Sequence, residues 1–324
     1  MDDVRWFASN GYTALIVPSL RLHGLTIATE GDAPARVSLA MSGLAAEEGW
    51  RFARRHRAKL IVYLWDLPPV GTGSGRPDPV WWVGGRFARL PRPWGGYGRR
   101  RGYYSRLRYI SARADELWGA STLTCETIAQ RFRATALRMP YCYDSTRFRL
   151  RPAESPRADP PVLLTVSRLR RHKNQAAVIE AAARVERPVR VRLIGRGEEE
   201  RALAALARRL GVNCSIETSA DDATVDRAYH QAAVAVCPSR FEGFGLTPIE
   251  AVASGVPVVA SDIPPHREFV GTAARLVPVD DVATLATAIG AALNAPPADP
   301  SLIADLTIPA AAARFRSALG PFLG

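Results

Sequence analysis

From residue 162 onward, apolar and polar positions alternate in blocks of regular length. Short apolar runs rich in β-branched residues occur at 162–168 (VLLTVSR), 189–195 (VRVRLIG), 214–218 (CSIET), 233–239 (AVAVCPS), 257–261 (PVVAS) and 273–278 (AARLVP). Between them, at 174–186, 198–210, 221–232, 247–254 and 281–294, apolar residues recur at helical spacing. Near-continuous apolar runs are the pattern of strands buried on both faces. Strict alternation of such strands with helices predicts βαβ units and a parallel sheet covered on both sides. A doubly wound sheet binds ligands outside the carboxyl ends of its strands, so the strand-to-helix loops are where chemistry is expected.

The first half is less regular. Residues 13–18 (TALIVP) read as a short strand, residues 35–56 as a helix with a basic end, and 59–65 (KLIVYLW) as a buried parallel strand. A strand at 114–118, a helix at 126–132 and a loop at 139–148 follow. Residues 151–161 (RPAESPRADPP) have the proline-rich, mixed-charge composition of a linker. The expected division is an N-terminal acceptor-side lobe at 1–150, a linker at 151–161, a donor lobe at 162–298 and a C-terminal segment at 299–324.

Composition narrows the class. The 324 residues suit two domains, and 47% hydrophobic with 23% charged residues is a globular balance. No apolar run approaches the ~18–20 residues that span a bilayer, and the start MDDVRWFASNG lacks a signal-peptide pattern. A cytoplasmic protein is expected. Cys125, Cys142, Cys214 and Cys237 form no CxxC pair, so neither zinc nor disulfides are expected. The formal net charge is +12, and no acid occurs between Asp78 and Asp115. Residues 86–108 carry Arg86, Arg89, Arg92, Arg99, Arg100, Arg101, Arg106 and Arg108 among aromatic residues. Such a segment suits an anionic membrane surface or a polyanion; a solvated basic face is the plain alternative. Nucleic acid is not expected.

Three loops hold the candidate chemistry. After the first donor-lobe strand come Ser167, Arg168 and, five residues on from that arginine, Lys173. Two cations at the mouth of a parallel sheet can clamp a diphosphate, although surface basicity also explains them. Lys173 is one of only two lysines in a chain that otherwise uses arginine. After the second strand, Gly195 and Gly197 permit close backbone approach to a ligand. The third loop reads SRFEGFGLTPIE over 239–250. Thr247 as N-cap, Pro248 at the first helical position and Glu250 at the third predict a capping box. The same geometry offers a helix N-terminus to a phosphate, with Gly243 and Gly245 admitting the ligand. Glu250 is then placed to bind ribose hydroxyls and Glu242 those of a transferred sugar.

The run SRFEGFGLTPIEAVASGVPVVAS resembles the signature of retaining glycosyltransferases of the GT4-like group, which have the GT-B fold. Glu242 and Glu250 have the group's spacing of two glutamates, and Ser167, Arg168 and Lys173 its small-residue, Arg and Lys pattern. The likeness covers about 160–295. It implies an α/β protein of two Rossmann-like, doubly wound lobes with a cleft between them, the N-lobe here short and atypical. It implies a nucleotide-diphosphate sugar as donor, whose diphosphate meets Arg168 and Lys173. Glu242 would contact the donor sugar and Glu250 the ribose, with Gly195, Gly197, Gly243, Phe244, Gly245, Leu246 and Thr247 lining the donor site. The last helix would return to brace the N-lobe. In that lobe, Arg21-Leu22-His23-Gly24 stands where an acceptor loop is usual and Asp66 where a histidine is common. His23 and Asp66 are therefore candidates; a surface-loop histidine and a turn aspartate are the plain readings. No Asp-x-Asp triplet is present, so neither metal nor cofactor is expected. The alternatives are a sugar-nucleotide epimerase, or a non-catalytic nucleotide-sugar or polyanion-binding protein. The acceptor is not identified by the sequence.

Overall fold

In the computed structural model the described residues are 2–8, 12–65, 67, 105–150 and 158–324. They divide into two compact units, Met1–Pro140 with Ala311–Gly324, and Tyr141–Ala310. Of the linker expected at 151–161, residues 151–157 lie outside the described residues, as do Asp66 and residues 68–104 of the basic aromatic stretch.

The first unit is built on a parallel sheet of order β2-β1-β3-β4-β5-β6. Its strands are β1 (Asp2–Phe7), β2 (Ile27–Ala28), β3 (Ala35–Ala40), β4 (Lys59–Leu64), β5 (Glu116–Gly119) and β6 (Leu137–Arg138). Helices α1 (Tyr12–Leu22), α2 (Ala46–His56) and α3 (Thr122–Phe132) connect them. Two sequence assignments are corrected here. Residues 13–18 lie inside α1, where Ile16 and Leu20, one turn apart, are both buried. A short apolar run cannot be told from a helix segment by period alone. The opening strand is β1, and two parallel neighbours need a helical crossover between them. The helix expected over 35–56 is a strand, a turn and a helix. Ser42 Oγ accepts from the Ala45 N–H at 3.1 Å in that turn. Gly49 lets α2 lie close on β3: a Cβ there would stand 3.0 Å from Ala40 Cβ, and its carbonyl accepts from Ser38 Oγ at 2.8 Å.

The C-terminal residues of this unit carry its aromatic centre. Phe315, in the helix Ile308–Leu323, is fully buried against Trp6, Tyr63 and Trp118, at ring separations of 6.1, 6.0 and 5.3 Å. Tyr63 Oη donates to the Met139 carbonyl at 2.6 Å, so the largest polar group of the cluster is satisfied.

The second unit is a parallel sheet of order β12-β11-β10-β7-β8-β9. Its strands are β7 (Val162–Val166), β8 (Arg190–Ile194), β9 (Cys214–Glu217), β10 (Val234–Cys237), β11 (Val258–Ser261) and β12 (Ala274–Val277). Helices α4 (Gln175–Ala182), α5 (Glu200–Leu210), α6 (Asp222–Gln231), α7 (Leu246–Ala253), α8 (Pro264–Val270) and α9 (Val282–Ala292) alternate with them. Chain order runs outward from β7 in one direction and from β10 in the other. The crevice between these two neighbours is therefore the topological switch point, where open α/β sheets take their ligands.

Replacing Phe315 by Ala removes the side chain that three aromatic rings of the first unit share. A loss of ~3–5 kcal/mol is expected, the range for a large aromatic in a core. Denaturant unfolding followed by tryptophan fluorescence checks it; a loss under ~1 kcal/mol would mean the cluster closes over the gap.

Candidate functional site

The loops after β7 and β10 meet at the switch point, and local geometry makes the first of them rigid. Gln175 is buried, and its amide donates to Ser167 Oγ and to the Arg168 carbonyl, each at 2.8 Å. The loop after β8 crosses directly beneath. A Cβ on Gly195 would stand 1.9 Å from the Ser167 carbonyl oxygen, and one on Gly197 2.0 Å from that of Leu169. These glycines thus make room for the neighbouring loop rather than only for a ligand. The Ser167 N–H donates to the Ile194 carbonyl and the Leu169 N–H to that of Arg196, which fixes the crossing. The Arg168 side chain is left exposed and forms no ion pair with a described residue.

Lys173 closes the 3-10 turn Arg171–Lys173 and points into the crevice. Its Nζ lies 2.5 Å from Glu242 Oε1, and Ser239 Oγ donates to the same oxygen at 2.7 Å. Both side chains are less than one-fifth exposed. Burial opposes ionisation of Glu242, but the Lys173 charge, with help from His266 and the hydrogen bonds, holds the carboxyl below its ordinary range. The sequence joined Lys173 to Arg168 as a clamp; here Lys173 is ion-paired to the first glutamate of the motif.

Helix α7 begins two residues earlier than the capping pattern predicts. Gly245 occupies the N-cap at φ 92° with no side-chain cap. Thr247 Oγ1 instead donates to the Val166 carbonyl at 2.9 Å, tying the helix to β7. A left-handed glycine turns the chain before the threonine is reached, so the expected capping box does not form. The first amides of α7 keep no side-chain acceptor, the condition for meeting an anion. Behind the turn, a Cβ on Gly245 would stand 3.1 Å from the ring of His266, which is buried and whose Nδ1 donates to the Ser261 carbonyl at 2.8 Å.

Glu250 faces α6. Its Oε2 accepts from Tyr229 Oη at 3.1 Å. Burial pushes its pKa up to about 7; Tyr229 and Arg147 oppose that rise, and Asp226 and Asp144 add to it. Phe244 is buried, its ring 4.3 Å from that of Phe269 and 5.9 Å from that of Tyr141, so its side chain belongs to the core of the unit. Gly243 and Leu246 lie in the same turn.

The first-unit candidates are placed differently. His23 follows α1, beside Thr26, whose backbone carbonyl receives the N–H groups of Asp3 and Val4. That is the amino-terminal edge of the sheet, opposite the edge where such sheets bind ligands. Its carbonyl accepts from Arg316. Asp66 lies outside the described residues. Among the described residues, no three His, Cys, Asp or Glu side chains cluster as a metal centre would, and no helix is long and apolar enough to cross a membrane. Tyr229, Arg147, Ser239 and Gln175 were missed by sequence reasoning. Ser239 heads the motif itself and was within reach; Arg147, in a stretch read only as loop, contacts residues 75–79 positions away and had no local signal.

Residues 146–304 match the profile of the Glycosyl transferases group 1. This part of the chain is similar to that family. The MMP alpha-(1->4)-mannosyltransferase of Mycolicibacterium hassiacum is 37% identical over 121 residues, 36% of this chain and 29% of that protein. The phosphatidyl-myo-inositol mannosyltransferase of Mycolicibacterium smegmatis is 38% identical over 104 residues, 31% of this chain and 27% of that protein. The chain thus spans less than a third of the length of these two relatives. A longer likeness, 27% over 292 residues, joins 83% of the chain to 66% of a glycogen synthase of Mycobacterium tuberculosis. Anabaena Alr3699/HepE in complex with UDP and glucose superposes with a TM-score of 0.68 at 14% identity, covering 100% of this chain and 97% of that one. The two Rossmann-like halves of the chain have the GT-B fold.

In this domain a protonated Glu250 is the easier form to bury, and the sign of its effect follows. Its folded pKa lies above the unfolded one, so stability is greatest below the unfolded value and is lost as pH rises through about 7. Glu250→Gln, neutral at every pH, should melt close to wild type at about pH 5 and above it at about pH 8.5. Thermal unfolding at the two pH values measures this. A difference that does not widen with pH would mean the carboxyl titrates in its ordinary range.

Proposed function

We propose that this chain is a nucleotide-sugar-dependent, retaining glycosyltransferase of the GT4-like group that works without a metal. The observation that carries the reading is the meeting of Lys173, Glu242 and Ser239 beside the uncapped start of α7 at the switch point of the second sheet. A nucleotide diphosphate laid in this crevice meets the free amides of α7, the exposed Arg168 and the Lys173 ammonium. These are preorganised positive charges where negative charge grows as the diphosphate leaves. Glu242, kept ionised, accepts from hydroxyls of the transferred sugar, and Glu250, when ionised, from the ribose. Among the described residues no side chain is assembled with a base as a nucleophile, and on this reading retention proceeds by attack from the face the diphosphate leaves, its oxygen helping to take the acceptor proton. Alr3699/HepE, which was solved with UDP and with UDP-glucose, supports a nucleotide of this class.

The clamp is tested by Arg168→Ala and Lys173→Ala, each expected to lower transfer at least ~100-fold, the scale of one lost charge-stabilising donor. Arg170→Ala and Arg171→Ala should be mild, since Arg170 lies 3.8 Å from Glu198 and Arg171 is exposed. Equal losses at all four positions would mean a diffuse basic surface. Activity should also survive EDTA; a strict metal requirement overturns the charge assignment.

For the acceptor we propose a lipid-linked or membrane-proximal molecule, with peripheral attachment to an anionic membrane through residues 86–108, of which 86–104 lie outside the described residues. The acid-free arginines and aromatics of that stretch support it, each cation near such a surface adding ~1 kcal/mol. Anionic vesicles should sediment the protein at low salt and release it as salt rises, and replacing Arg99, Arg100 and Arg101 by Ser should abolish this without loss of donor hydrolysis. No sedimentation at low salt leaves a soluble acceptor as the better reading.

A further inference from the structure

Glu250 is held by a side chain that the donor motif does not contain. Tyr229 lies on α6 and is 1% exposed. Its hydroxyl stands 3.1 Å from Glu250 Oε2 and 3.5 Å from the Thr247 carbonyl. Its ring meets that of Phe148 edge-on, with centroids 5.5 Å apart and planes at 88°. The neighbouring Arg147 is itself fixed: Nε donates to Asp226 Oδ1 at 2.5 Å and Nη2 to the Asp222 carbonyl at 2.8 Å. The segment before the sheet therefore latches onto α6 and brings a cation to the back of the glutamate.

We propose that Tyr229 is a positioning residue, whose hydroxyl, backed by Arg147, holds the Glu250 carboxylate in the orientation and charge state that a nucleotide ribose requires. This rests on the reading of Glu250 as the ribose ligand. A buried carboxylate with an unsatisfied oxygen would turn away or take up a proton, and either would remove an acceptor from the ribose hydroxyls. Tyr229 supplies the missing donor, and with its ring packed on Phe148 and its hydroxyl also 3.5 Å from the Thr247 carbonyl it has little freedom to swing aside. The charged and titratable groups around Glu250 divide by element. Arg147 and Asp144 come from the segment before the sheet, Asp226 and Tyr229 from α6, and Cys237 from β10. Arg147 favours the carboxylate, and the two aspartates disfavour it, one of them already bonded to Arg147. Burial raises the carboxyl most, and the phenol hydrogen bond is first among the influences that oppose it, a hydrogen bond to a charged group being among the stronger kind.

Tyr229→Phe is the test, since it keeps the ring and its packing on Phe148 and removes only the donor. Two measurements are made on the full chain. The Glu250 carboxyl is followed by carbon-13 NMR as a function of pH, with Glu250→Gln identifying the signal, and UDP binding is followed by calorimetry. The carboxyl midpoint, near 7 in wild type, should rise by roughly one pH unit in the variant. UDP affinity should then fall about fivefold at pH 7 and return close to wild type at about pH 9, as the fraction ionised dictates. A midpoint shared by both proteins overturns the proposal, and so does an affinity loss equal at the two pH values, which is what a merely structural role gives. If the midpoint moves but neither protein binds UDP, the nucleotide reading fails and the control of Glu250 by Tyr229 stands.

Discussion

The second unit is organised around one ion pair. Lys173 and Glu242 come from different loops of the switch point, and they meet 69 residues apart in sequence at 2.5 Å. Neither charge is well solvated, so removing one partner would strand the other, at a cost on the order of 3–5 kcal/mol for a truly buried pair. Such a pair is poor evidence of stability, because an apolar replacement of the same shape does as well. What it contributes is position. It draws the loop after β7 onto the loop after β10, and with Ser239 it aims a carboxylate across the start of α7. The glycine crossing beneath makes this possible. Gly195 and Gly197 let the loop after β8 run under Ser167 and Leu169 at distances no side chain would allow. Arg168 is thereby lifted into solvent beside the crevice.

The two glutamates of the motif are chemically alike and stand in opposite environments. Glu242 has a cation and a hydroxyl on one oxygen and stays ionised below its ordinary range. Glu250 has a phenol and a more distant guanidinium balanced by two aspartates, and burial carries it up to about 7. Carboxyls whose environments push them apart in this way commonly hold different roles in one site. The division also separates stability from binding. An ionised Glu250 is the less stable form of the free protein and the better acceptor for hydroxyl groups, so the unit keeps a strained group where a ligand can relieve it.

The legibility of the chain differed between its halves for a physical reason. In the second unit each strand is a buried apolar run and each crossover a helix of ordinary length, so period alone located all six strands and the loops that matter. In the first unit the rule failed where apolar runs were short. The opening strand Asp2–Phe7 begins with two aspartates, and the apolar run after it is a helix whose Ile16 and Leu20 face inward. Taking that helix for the first strand moved the expected acceptor loop to His23, at the wrong edge of the sheet. Residues 35–56 were read as one helix because the strand and helix there share an apolar spacing and are divided by a short turn.

The sequence alone determined the alternation of the second unit, the switch-point loops, the two glutamates with Arg168 and Lys173, and the glycines between them. These are local: strand period, turn residues and fixed spacing are written in neighbouring positions. Tertiary structure decided the partners. Lys173 faces Glu242, Thr247 ties α7 to β7 rather than capping it, Phe244 joins the core, and Tyr229 with Arg147 takes hold of Glu250. Each of these joins residues 21 to 103 positions apart or replaces a local hydrogen bond by a distant one. Burial and the net of charges around a carboxyl exist only after the chain has closed, so no pattern of spacing along the sequence could have set them.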